Sequence, residues 1–152
     1  MKLILSCILF FVFASFALAA DKSRDAQIDD IREALFRHQF AQQTNGIRFL
    51  SLGEKGDDPS DQFLKRFANS KLPVRKVSSC KHVPNTGVPI DKKTGASGII
   101  YSINTIKWIS DTEVEAKGSC HMANEGAEAY IYALKKDKGV WRVIKEELTW
   151  IS

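Results

Sequence analysis

The sequence predicts an α+β fold, with N-terminal helices packed on a curved antiparallel β-sheet. Three observations predict it. Apolar residues between Asp25 and Gln42 recur at helical spacing. From Gly98 to the end of the 152-residue chain, apolar and polar residues alternate in long runs. The links between those runs are a few residues each, which suits antiparallel neighbours.

Taken in order, the chain begins with Lys2 and an apolar run from Leu3 to Leu18. The small-residue pattern Ala17-Leu18-Ala19-Ala20 follows, and then Asp21-Lys22-Ser23-Arg24. This is the layout of a cleavable export signal, cut after Ala19 or Ala20. The run is short for a permanent membrane helix, and Cys7 lies too early to be a lipid acceptor. Residues 1–19 are therefore expected to be a signal peptide and residues 20–152 one domain, periplasmic or secreted, with no membrane attachment after cleavage.

In the first helix Ile28, Ile31, Leu35 and His38 form one face, with Phe36 and Phe40 beside it. Asp25 is placed to cap its start, and Asp29, Asp30 and Glu33 lie where the helix dipole favours anions. Asn45-Gly46 stops it. Ile47 to Leu52 reads as a short strand. A second helix is expected from Asp58-Pro59, the aspartate capping and the proline at the first helical position, with Phe63, Leu64 and Phe67 on one face. Val74 to Cys80 reads as a strand and Lys81 to Gly98, with its prolines and glycines, as a long loop.

Four strands follow: Ile99 to Ile109, Thr112 to Ala123, Ala127 to Leu134 and Val140 to Trp150. In the second, Val114, Ala116, Gly118, Cys120 and Met122 share the inner face. Glu113, Glu115, Lys117, Ser119 and His121 share the outer one. In the first, Ile100, Ile106 and Trp108 are assigned one apolar face, which Ser102 and Asn104 interrupt.

Composition narrows the function classes. The chain has 22 Lys and Arg against 18 Asp and Glu, a formal net charge of +4. These charges are interleaved, not gathered into a stripe among aromatics, so nucleic acid is not an expected partner. Lys92-Lys93 and Lys135-Lys136 read as solvated turn charges. With Cys7 in the leader, Cys80 and Cys120 remain, and in an oxidising compartment a disulfide between them is the simplest expectation. In a chain-entropy account it would contribute about 3–4 kcal/mol. Zinc binding through Cys80, His82, Cys120 and His121 is disfavoured, since neighbours on a strand point to opposite faces.

The opening helix, the long meander and the final hairpin, Tyr130-Ile131-Tyr132-Ala133-Leu134 followed by Gly139-Val140-Trp141-Arg142-Val143, resemble the NTF2-like (cystatin-like α+β cone) superfamily. Asp58-Pro59-Ser60-Asp61 with Phe67, and the terminal Thr149-Trp150-Ile151-Ser152, resemble small secreted members without an assigned activity. The resemblance covers most of residues 25–152. It implies a cone with a pocket between helices and sheet, and a fold that hosts isomerases, dehydratases, cyclases and plain binding modules alike.

No nucleophile elbow, metalloprotease helix, phosphate loop, dinucleotide fingerprint or N-glycosylation acceptor is present. No cofactor and no metal is expected. The sequence favours a non-catalytic module that binds a small apolar ligand or a protein. The catalytic alternative is a cofactor-free isomerase, dehydratase or hydrolase in which His38 works with a pocket tyrosine, from Tyr101, Tyr130 and Tyr132. A third reading is an inhibitor or immunity-type partner of a secreted enzyme, touching it through the 81–98 loop. Tyr101, Asn104 and Trp108 are the candidate ligand-binding residues. Trp108, Trp141 and Trp150 are expected to fill the core or to cover a sheet surface in a homodimer.

Overall fold

The computed structural model describes residues 24–152, so the expected leader at residues 1–19, with Cys7, lies outside the described residues. The architecture is α+β: a six-stranded, mostly antiparallel curved sheet with two helices. Helix α1 covers residues 24–39 and tightens into a 3-10 turn at Phe40–Gln42. Strand β1 is Ile47–Leu52, helix α2 is Asp61–Lys65 and β2 is Val74–Lys76. A small hairpin follows, β3 (Cys80–His82) with β4 (Pro89–Asp91). The long meander is β5 (Gly98–Ser110), β6 (Glu113–Ala123), β7 (Gly126–Asp137) and β8 (Val140–Ile151).

The strand order is β2-β1-β5-β6-β7-β8. The meander strands pair antiparallel as expected, but β1 lies parallel to both β2 and β5. Gly98 permits the close approach of β1 and β5: a Cβ there would stand 2.7 Å from the Phe49 ring.

Hydrophobic burial divides between the two sheet faces. On one, α1 with its 3-10 turn and α2 with the turn after it supply Ile31, Leu35, Phe36, Phe40, Phe63 and Phe67, which pack on Tyr101, Ile103, Val114, Ala116, Tyr132, Leu134 and Trp141. On the other, Ile47, Phe49 and Ile100 pack with Cys80 under the 77–82 segment. Strand alternation accounts for the split, since Ile100 and Tyr101 are neighbours that point to opposite sides.

This split overturns the expected disulfide. Cys80 belongs to the smaller cluster and Cys120 packs against the larger one, so the sheet itself stands between them. Both are free thiols. The Cys80 thiol contacts the Lys81 carbonyl, and that of Cys120 contacts Glu128.

Local corrections have local causes. Asp25 is inside α1, not its cap. The cap of α2 is Ser60, whose hydroxyl accepts from the Phe63 N–H at 3.0 Å; the Asp58 carboxylate accepts instead from the Ser78 N–H. The expected strand from Val74 to Cys80 breaks at a 3-10 turn, Val77–Ser79. The expected 81–98 loop holds most of the β3–β4 hairpin and is pinned by buried Asp91. That carboxylate accepts from the Lys93 and Thr94 N–H groups and the Thr94 hydroxyl, and pairs with Arg75. Burial raises the Asp91 carboxyl, but these bonds outweigh it and hold the group below its ordinary value.

A bulge also revises the face assigned to β5. Ile103 pairs with Gly118 and Thr105 with Lys117, so Asn104 is an extra residue. Before it the odd residues Tyr101 and Ile103 face the larger core; after it the even residues Ile106 and Trp108 do. Ile100 faces the other way.

Candidate functional site

A cavity of about 270 Å3 lies where the C-terminal end of α1 crosses the meander. The helix end contributes His38, Gln39, Ala41 and Gln43. Tyr101 of β5 lies beside Cys120 of β6, which lies beside Glu128 of β7. Further along the same face, Tyr132 of β7 pairs with Glu146 of β8. Period-two alternation puts Glu128, Tyr130 and Tyr132 side by side on this face. Gly118 allows Gln39 and Tyr132 to approach β6 closely, because a Cβ at that position would stand 2.9 Å from Gln39 Nε2 and 3.3 Å from the Tyr132 ring. His38, Ala41 and Met122 are exposed at the mouth.

Two polar arrangements converge on this space. His38 Nε2 lies 2.5 Å from Glu146 Oε2, and the His38 ring meets the Tyr132 ring edge-on with centroids 5.9 Å apart. The Tyr130 hydroxyl donates to Glu128 Oε2 at 2.5 Å, and the Cys120 thiol donates to the same oxygen at 3.7 Å. Gln39 Nε2 donates to the Tyr132 hydroxyl at 3.4 Å.

The site keeps its neutral acids protonated. Burial, then the charge of Glu128, pushes the Cys120 thiol up to about 11. Burial pushes Tyr101 up to about 12. The hydrogen bond to Glu128, followed by burial, raises Tyr130 far above its ordinary value; Tyr132 is raised mainly by burial, with Glu146 adding to it. Cys120 is therefore a thiol and not a nucleophile at neutral pH. His38 is held by Glu146 at the mouth.

The sequence-derived candidates divide. His38 and Tyr101 line the cavity, and Tyr130 and Tyr132 join them. Asn104 does not: it sits at the β5 bulge beside a separate hollow near Asp25 and Arg32. Trp108 packs edge-on against Trp141, with centroids 5.6 Å apart and the Arg24 guanidinium over its ring, away from the cavity. The acidic members, Glu128 and Glu146, were not anticipated. Glu128 was readable, since it shares parity with Tyr130, Tyr132 and Leu134 on one strand. Glu146 was hidden by a bulge: Leu134 pairs with Val143 but Ala133 with Lys145, so Ile144 is extra and the inward parity changes.

On the opposite face, the His82 and His121 rings meet with centroids 5.3 Å apart, and His121 donates to the Gly87 carbonyl at 3.0 Å. Among the described residues, no group of three or more His, Cys, Asp or Glu side chains is arranged to hold a metal ion. None of the described helices is long and apolar enough to cross a membrane. Compared with models of known families, with curated proteins and with solved structures, the chain gives no match.

Proposed function

We propose that the chain is an exported, NTF2-like binding module that holds a small molecule with an apolar body in the cavity between α1 and the meander. The observation that carries this reading is the cavity itself: Ile99, Met122 and three tyrosines form much of its wall, and His38, Gln39, Gln43, Glu128 and Glu146 bring polar groups to it. Apolar walls with placed orienting groups are the usual chemistry of small-ligand pockets. Its volume of about 270 Å3 lies just below the range of drug-sized ligand pockets and so suits a small ligand. The helix-over-curved-sheet arrangement and the closing hairpin support the NTF2-like assignment. Export rests on the apolar run from Leu3 to Leu18 and the small-residue pattern that ends it, and not on the cysteines.

The test is a screen of small apolar and amphiphilic compounds by amide chemical-shift mapping. Shifts centred on Gln39, Cys120 and Tyr130 support the reading. Shifts confined to other surfaces, or none from any compound, overturn it.

A catalytic reading is favoured by one specific contact, the 2.5 Å approach of His38 Nε2 to Glu146 Oε2. A carboxylate that orients an imidazole at the mouth of an apolar cavity is the arrangement needed to abstract a proton next to a carbonyl. Solvent-deuterium exchange into small ketones, lost in His38→Gln, would establish it. Exchange no faster than in buffer would remove it.

A further inference from the structure

We propose that the ligand of this cavity is an organic ammonium ion, a cationic nitrogen carried on a small apolar body. The inference deepens the binding reading and rests on it. It begins with Glu128, a half-buried carboxylate whose hydrogen-bond donors are both neutral, the Tyr130 hydroxyl at 2.5 Å and the Cys120 thiol at 3.7 Å. Among the described residues no cationic side chain pairs with it. A carboxylate drawn partly out of water without a counter-charge is unfavourable, and the favourable completion is a cation.

The walls around it have the same preference. Tyr101, Tyr130 and Tyr132 surround the space beside this carboxylate, and the face of a tyrosine ring carries negative charge density that attracts a cation. The Tyr130 and Tyr132 centroids are 5.7 Å apart, so a single alkylammonium group can touch both rings. The second carboxylate, Glu146, is taken by His38, the one basic side chain among the cavity-lining residues, which leaves Glu128 as the lining carboxylate without a basic partner. Arg48 does not line the cavity: its guanidinium lies over Phe40 at 4.4 Å and donates to the Ser70 hydroxyl and to the Gln43 amide oxygen behind the wall. The Tyr130 hydroxyl, raised first by its hydrogen bond to Glu128, registers that carboxylate directly, whereas Tyr132 and Cys120 are raised first by burial.

Other features were weaker candidates. The exposed apolar residues of β8, among them Ile144 and Trp150, lie on an open sheet edge with nothing to show what covers them. The His82–His121 pair lacks a third ligand.

The experiment compares three probes of one shape on the native protein by amide-shift titration. Choline is the cation, 3,3-dimethylbutan-1-ol its neutral isostere and 3,3-dimethylbutanoate an anionic analogue. The expected result is that choline shifts the cavity amides with an affinity at least about tenfold above the alcohol, and that the anion does not bind. Glu128→Gln, which keeps an acceptor for Tyr130 and Cys120, is expected to remove most of that preference. Equal affinity for choline and the alcohol at the cavity overturns the cation proposal and leaves the cavity a neutral-ligand site. Failure of all three probes to move any cavity amide overturns the binding reading with it. The choline-to-alcohol ratio is read on the unmutated chain, so a poorly folded Glu128 variant does not affect it.

Discussion

His38 at the end of α1 and Glu146 on the edge strand β8 meet at 2.5 Å although 108 residues separate them in sequence. Their side chains remain about 40% exposed, 39% and 41%, so water screens the pair. Exposed ion pairs contribute about 0–1 kcal/mol. Glu146→Gln is therefore expected to lower the unfolding free energy by no more than about 1 kcal/mol in a urea titration. A loss several times larger would show that the pair holds the helix on the sheet instead of furnishing the mouth of the cavity.

Gly118 is the residue that lets Gln39 and the Tyr132 ring pack against β6 at the base of the site. A methyl group there would meet the Ser102 carbonyl at 2.7 Å, Gln39 Nε2 at 2.9 Å and the Tyr132 ring at 3.3 Å. The carbonyl belongs to the paired strand and cannot give way cheaply. Gly118→Ala is expected to destabilise by about 1–3 kcal/mol, as overpacking generally does, and to displace Gln39 and Tyr132. Urea unfolding gives the first figure and amide shifts of Gln39 report the second. A variant of native stability with unshifted Gln39 would show that the strands relax around the methyl.

The sequence made the meander legible because its signal is local. Alternation in β6 assigns Val114, Ala116 and Gly118 to the buried face, and the structure agrees. The bulges were not legible, and the errors cluster at them. Asn104 and Ile144 each insert one residue, so parity counted from one strand end fails at the other. Asn104 was misplaced for that reason, and Glu146 overlooked. The parallel placement of β1 between β2 and β5 was equally hidden, since partner choice is a long-range property that six residues cannot encode. Of the site, His38 and the tyrosines were within reach of pattern, while the carboxylates that give it charge depended on register.

Cys80 and Cys120 occupy opposite faces of the sheet and cannot meet without unfolding it. The purified protein is expected to hold both as thiols: titration in denaturant, without reductant, should find Cys80 and Cys120 free. In the native state Cys120 should alkylate far more slowly at pH 8 than an exposed cysteine, because burial and Glu128 push its thiol up to about 11. Recovery of a peptide linking the two residues from native protein would contradict the face assignment.

Stability should decline at alkaline pH, with Cys120 and Cys80, whose thiol burial also raises, starting the decline. Its thiol ordinarily ionises near 9.0 but only at about 11 in the folded cavity, and Tyr101 moves from 10.0 to about 12. Both folded values are raised. The folded state therefore holds protons that the unfolded chain has already released, and ∂ΔG/∂pH is negative between each pair of values. The stabilisation is complete below pH 9 and lost as pH climbs through 11 and then 12. Melting temperature is expected to fall across this window, and more gently in Cys120→Ala between pH 9 and 11, where the thiol supplies part of the slope. A variant that declines as steeply as the parent over that interval would place the responsible proton elsewhere.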